Sequence, residues 1–343
     1  MVEFINGTVA PSEDADRAMM REAGIEWVRL GTPVPFEDRI GGELTERYRR
    51  YREHLAGWRE DGFRIMGVSS GPGVKRWEPD GGGGLHMVWH RRLPEWFGEL
   101  GSRRCLDTYR EMCAFLAEDL SGMVEVWQIA NELHWHQFAG PLSPPEACEF
   151  ILAGARGLKS ADPDLVVGHN GGTSPNSYFL WGRLFADHDG PLDYCGVDKY
   201  FGSWHPGGPE DWVPTIEELH ELTGAPVLVN EWGYASAGGL KTAEDHEKGR
   251  ITCDCHRWPH EWDGGHTPEV QGKFVERSFE AFARVKDRML GQFYFRWSDQ
   301  ETCWQCGEPD CPAETAWGMV DLEGNPKPAY DAYREGVRKL RDA

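Results

Sequence analysis

Apolar positions along the chain fall into short runs, each followed by a longer stretch in which apolar and polar residues alternate with helical spacing. Phe4–Ala10, Ile25–Leu30, Phe63–Val68, Val124–Ile129, Leu165–Gly168, Tyr194–Val197, Val227–Val229 and Gly291–Arg296 read as strands. The intervening stretches Ser12–Glu22, Leu44–Glu60, Leu106–Leu120, Pro144–Ser160, Tyr178–Phe185, Thr215–Leu222, Glu269–Asp287 and Tyr330–Leu340 read as helices, with Ser12 as a first N-cap and Gly24 as a stop. Eight strand–helix units is the number that closes a parallel barrel. An open doubly wound sheet also alternates, but usually with fewer units and often with a Gly-rich phosphate turn, which is missing after the first strand. The expected fold is therefore α/β, a single (β/α)8 TIM barrel forming one catalytic domain over residues 1–343. Long loops are expected after strands three, seven and eight. In the first of these the run Gly81 to Gly84 reads as the tip of a mobile loop.

Two of the apolar runs end in the same pair of residues. Val124-Glu125-Val126-Trp127-Gln128-Ile129-Ala130 leads into Asn131-Glu132, and Ala225-Pro226-Val227-Leu228-Val229 leads into Asn230-Glu231. Barrel active sites lie at the C-terminal ends of the strands. Glu132 and Glu231 are 99 residues apart, close to three barrel units of roughly 31 residues each, so strands four and seven would project them into one mouth. A lone Glu at a strand end is ordinarily a cap or a surface residue. Two of them at these positions are the minimum equipment for hydrolysing a glycosidic bond.

This arrangement resembles the clan A retaining glycoside hydrolases, which include β-galactosidases, β-xylosidases, β-mannanases and endoglucanases. The resemblance implies Glu132 as general acid/base, Glu231 as nucleophile, and carboxyls about 5–5.5 Å apart. It further implies that Asn131 binds the sugar 2-hydroxyl and that Arg29, in Trp27-Val28-Arg29-Leu30, orients the nucleophile. Tyr200, in Asp198-Lys199-Tyr200, would touch the nucleophile, and Trp297, in Phe295-Arg296-Trp297, would floor the sugar site. Each has a plainer reading: Arg29 as a core ion-pair partner, Tyr200 and Trp297 as packing residues. His134 and Asn170 are further candidates for the substrate mouth. Two other classes stay open. The run Glu132-Leu133-His134-Trp135-His136 offers alternate side chains to a metal, as in a metal-dependent barrel hydrolase or isomerase. A non-catalytic carbohydrate-binding barrel is the other, and a chromogenic glycoside assay separates it.

Acidic residues outnumber Lys plus Arg by 57 to 36, a net charge of −21. This disfavours nucleic acid, anionic membrane surfaces and polyanionic substrates as partners. A carbohydrate substrate fits, since indole faces stack on sugar rings and the chain has 16 Trp. No run approaches transmembrane length and the first residues lack a basic-then-apolar leader, so a cytoplasmic location is expected; the oligomeric state stays open. No catalytic cofactor is expected. Five of nine cysteines lie in the loops after strands seven and eight: Cys253, Cys255, Cys303, Cys306 and Cys311. Adjacent barrel loops would bring them together, and short thiolate pairs favour a structural zinc drawn from these five, with His256 alongside. Two disulfides are the rival reading.

Overall fold

The computed structural model describes residues 3–82, 84–187 and 189–342. Met1, Val2, Gly83 of the glycine tip, His188 and Ala343 lie outside the described residues. Eight parallel strands close into a barrel: β1 Ile5–Val9, β2 Trp27–Gly31, β3 Arg64–Val68, β4 Val126–Gln128, β5 Val166–Gly171, β6 Tyr194–Asp198, β7 Val227–Trp232 and β8 Met289–Tyr294. Each pairs with its sequence neighbour, and β8 closes on β1 through Ile5 opposite Gly291. The main helices between them are α1 Arg17–Glu22, α2 Glu46–Glu60, α3 Arg103–Asp119, α4 Pro144–Ala161, α5 Pro175–Leu184, α6 Trp212–Thr223, α7 Pro268–Arg284 and α8 Pro328–Asp342. Side-chain caps set several starts: the Asp16, Thr45, Ser102 and Thr267 oxygens accept backbone N–H bonds at α1, α2, α3 and α7. The first cap is thus Asp16, four residues past Ser12. Among the described residues no helix is long and apolar enough to cross a membrane.

The period of two along each strand sorts side chains into two cores. Ile5, Val9, Trp27, Met66, Val126, Tyr194, Leu228 and Phe293 fill the barrel interior. Val28, Leu30, Ile65, Trp127, Val167, Cys195, Val197, Val227, Val229 and Trp232 face the helices and join a far larger cluster. Space inside is tight enough to dictate glycine. A Cβ on Gly168 would lie 2.5 Å from the ring of Tyr194, which is fully buried and donates its hydroxyl to the Trp127 carbonyl at 3.1 Å. Gly168→Ala should cost about 1–3 kcal/mol by overpacking; chemical denaturation beside wild type measures it.

The loop after β3 is not irregular. Gly73–Pro79 and Leu85–Arg91 form an antiparallel hairpin over the barrel mouth, in register from Gly73 opposite Arg91 to Pro79 opposite Leu85. The glycine run supplies its turn, with Asp80 accepting N–H bonds from Gly82 and Gly84. The hairpin meets the loop after β8 where the Trp77 N–H donates to the Gln305 carbonyl at 2.8 Å.

Candidate active site

The barrel interior changes character toward the C-terminal ends of the strands. The inward positions next above the apolar layer are Arg29 above Trp27, Gln128 above Val126, Asn170 on β5 and Asp198 on β6. All four are buried, so they must satisfy one another. Strict alternation would turn Glu231 outward, because Leu228 faces in and Val229 faces out. The β7 register shifts against both neighbours at this point, between Val197 and Asp198 of β6 and between Gln292 and Tyr294 of β8. A bulge there re-aims the chain: Asn230 and Glu231 both reach the interior network, and Trp232 packs outward on Phe279 and Phe282.

The end of β4 uses a different device. Ala130 and Glu132 hold left-handed backbone, φ 51° and 46°, a conformation costing roughly 1–3 kcal/mol at a non-glycine residue. It is held by two side chains from neighbouring strands. The Ser69 hydroxyl accepts the Ala130 N–H and the Asn170 carbonyl oxygen accepts the Glu132 N–H, each at 3.0 Å. The backbone turn so fixed presents Asn131 and Glu132 together.

Arg29 ties the two strand ends into one unit. Its Nη1 donates to Glu231 Oε1 at 2.7 Å, its Nη2 to Asn131 Oδ1 at 2.9 Å and its Nε to Gln128 Oε1 at 2.9 Å. Tyr200 donates its hydroxyl to the other Glu231 oxygen at 2.6 Å. Gln128 is the hub beneath: it accepts from Asn230 at 2.8 Å and donates to Asn170 Oδ1 at 2.7 Å and to the Ala130 carbonyl at 2.6 Å. The Asn131 amide reaches Glu132 Oε2 at 3.5 Å.

The two carboxyls sit in opposite electrostatic surroundings. Glu231 forms a 2.7 Å ion pair with the Arg29 guanidinium, which is 5% exposed, and accepts from Tyr200. Burial, and then the charge of Glu231, push Glu132 up to about 8, so its carboxyl keeps its proton at neutral pH. Asp198 is driven well above the carboxylate range by burial and then by Glu231 and Glu132; the Asn170 amide donates to it. A fourth carboxyl, Glu314 in the loop after β8, is pushed up to about 8 by burial and accepts from Gln305 at 2.6 Å. Aromatic rings line one wall: Tyr200 lies edge-on to Phe295 and to Trp317, with centroids 5.7 and 4.8 Å apart, and the buried Trp317 and Trp258 back this wall, with Trp204 packed edge-on to Trp258.

Of the residues singled out from sequence, the structure brings Arg29, Asn131, Glu132, Tyr200 and Glu231 into one network. Five others stand differently. Asn170 is fully buried and its amide is spent on Gln128, Asn131, Asp198 and the Glu132 backbone, so it positions the site from below. His134 is 3% exposed, packed beside Trp135 and behind Gly171 and Gly172, whereas His136 is exposed; they do not share one side as metal ligands would. Trp297 faces the helical layer against Tyr330, and Phe295 occupies the strand-eight position beside Tyr200. Cys255 stands apart from the other loop cysteines, its thiol donating to the Ile251 carbonyl at 3.3 Å. The sulfurs of Cys253, Cys303, Cys306 and Cys311 lie within 4.8 Å of one another, and all nine cysteines are free. Sequence reasoning missed Gln128, Asp198, Glu314 and Phe295. The first two were legible as polar residues at inward positions of apolar strands.

The sequence matches no protein-family model and no curated protein. Its fold is found widely among solved structures. A GH5_18 protein from Streptomyces cattleya, solved with GlcNAc, aligns with TM-score 0.67 at 16% identity over 99% of this chain and 80% of that one. The GH53 catalytic domain from Ignisphaera aggregans aligns with TM-score 0.62 at 16% identity, over 97% of this chain and 96% of its own. A GH2 β-galacturonidase from Eisenbergiella tayi gives 0.56 at 16% over 94% of this chain, which spans only 46% of that protein's length. At such identities the likeness establishes the (β/α)8 barrel, shared with glycoside hydrolases.

Proposed function

We propose that this protein is a retaining glycoside hydrolase acting on a β-linked glycoside. The observation that carries the reading is the asymmetry of the carboxyl pair: Glu231 accepts from the Arg29 guanidinium and the Tyr200 hydroxyl, while burial and then Glu231 push Glu132 up to about 8. A double displacement needs this division. Glu132 gives its proton to the leaving oxygen while a Glu231 oxygen bonds to the anomeric carbon, forming a glycosyl-enzyme. Bonding neutralises Glu231, which removes the second cause of Glu132's high pKa. Glu132, which has already given its proton to the leaving oxygen, then stays ionised and takes a proton from the incoming water as base. That water displaces Glu231 and restores both groups. Asn131, oriented by Arg29, offers its amide to the sugar 2-hydroxyl, and the half-buried rings of Tyr200 and Phe295 offer faces for the sugar ring.

The chemistry runs on these side chains and calls for no catalytic cofactor. Similar barrels solved with GlcNAc or galacturonate support a carbohydrate substrate. The test is the stereochemistry of the first product. With an activated β-glycoside chosen from a nitrophenyl panel, proton NMR of the newly formed sugar should show the β-anomer first and the α-anomer only as mutarotation proceeds. Initial release of the α-anomer would overturn the retaining mechanism; no hydrolysis across the panel would favour a non-catalytic binding barrel.

A further inference from the structure

Beside the mouth, Cys253 from the loop after β7 meets Cys303, Cys306 and Cys311 from the loop after β8, all four sulfurs within 4.8 Å of one another. Three of the four are buried. They sit in a small apolar cluster of their own with Ala313, under Trp77 and Leu85 of the hairpin and beside Trp204 and Ile251. The four thiols converge there without disulfides. The Gly307 N–H donates to the Cys303 carbonyl at 2.7 Å, closing a tight loop around the first pair.

We infer that Cys253, Cys303, Cys306 and Cys311 form a closed tetrathiolate zinc site that fastens the rim of the barrel mouth. Four sulfurs at zinc–sulfur distances of about 2.3 Å fill a tetrahedron and leave no position for water, so the site is structural. Binding releases the four thiol protons and leaves a centre of net charge −2. Lys75, whose ammonium sits 4.9 Å from the Trp77 ring centroid, supplies positive charge next to it. Cys255 is excluded by its own hydrogen bonds. The metal would join three segments that the barrel alone does not hold together. The hairpin donates to Gln305, the loop after β8 places Glu314 and Trp317, and the loop after β7 places Trp258 behind the aromatic wall. Neither the location nor the donor set depends on the glycosidase reading.

The test is the metal content of the purified full-length chain, read by elemental analysis. About one zinc per chain is expected, with cobalt substitution giving the intense sulfur-to-metal charge-transfer absorption of a tetrathiolate. Cys303→Ser should lose the metal, and Cys255→Ser should keep it. Removing zinc with a thiol reagent and chelator should expose four further reactive thiols, lower the thermal midpoint, and open residues 233–267 and 295–327 to protease. If Cys303→Ser does not fold, cobalt spectroscopy and thiol counts on wild type still decide. Absence of metal from protein grown with added zinc, disulfides among the four cysteines, or metal loss in Cys255→Ser equal to that in Cys303→Ser would each overturn the assignment.

Discussion

Glu231→Ala should lower kcat by on the order of 10⁴-fold or more with every leaving group, because no other group can bond to the anomeric carbon from that side. Leaving-group quality cannot compensate for a missing nucleophile, so dinitrophenyl and alkyl glycosides should fail alike. Azide tests the cause. It is small enough for the space left by the deleted carboxylate, and attack from that side inverts the anomeric centre once. Rescue by azide should therefore give the α-glycosyl azide. Arg29 and Tyr200 would lose their shared acceptor, so near-ultraviolet circular dichroism should confirm that the variant keeps native packing. A β-configured azide from this variant would mean that the roles of Glu231 and Glu132 are reversed.

How much of this was legible in the sequence follows from how each feature is encoded. The barrel was legible because eight apolar runs and their helices recur at one spacing, and strand boundaries shifted by only a few residues, as at Val126–Gln128 within the expected Val124–Ile129. Side-chain direction was legible only where period two holds. It assigns Arg29 and Gln128 inward without help. It fails at Glu231, which reaches the mouth through a bulge, and at Glu132, which reaches it through left-handed backbone. Both devices depend on groups distant in sequence, such as Ser69 and Asn170 for β4. Parity could not separate Phe295 from Trp297, since both share the parity of the inward-facing Phe293; the strand ends at Tyr294, and only the structure shows Phe295 staying with the interior cluster while Trp297 joins the helical layer.

The hairpin shows a different failure. Lys75 to Glu78 and His86 to Trp89 pair as strands without an alternating pattern to announce them, and the glycines between them suggested irregularity where Gly82 and Gly84 donate to Asp80 in the turn. Histidine spacing misled for a related reason. Residues two apart share a side only on an extended chain, and His134 and His136 lie where the chain turns into the short helix His136–Ala139. The cysteine grouping was readable from barrel adjacency. Which of five cysteines stands aside was not, because Cys255 is diverted by the turn of the short helix Thr252–Cys255, whose geometry hands its thiol to Ile251.

Glu132→Gln should separate the two steps of the reaction. Glutamine has no proton to give, so substrates with poor leaving groups should lose about 10²–10⁴-fold in kcat/KM. Dinitrophenyl glycosides need no protonation, should keep a near-normal first step, and should accumulate the glycosyl-enzyme as a burst visible by mass spectrometry. Azide needs no general base, so it should speed turnover in Glu132→Ala and give the β-glycosyl azide, opposite to the Glu231 variant. The pH dependence follows from burial and from Glu231, which push Glu132 up to about 8. In wild type kcat/KM for a poor leaving group should fall as pH rises through about 8, when the acid is lost, and Glu132→Gln should remove that limb for activated substrates. Stability carries the same sign. A carboxyl that keeps its proton to higher pH when folded contributes stability that is complete below its ordinary value and is lost as pH climbs through about 8. Glu132→Gln should therefore narrow the gap between thermal midpoints at pH 6 and pH 9, while Glu314, also raised to about 8 by burial, keeps part of it in place. An unchanged alkaline limb together with an unchanged stability gap would remove Glu132 as the proton donor and leave Glu314 as the carboxyl to test next.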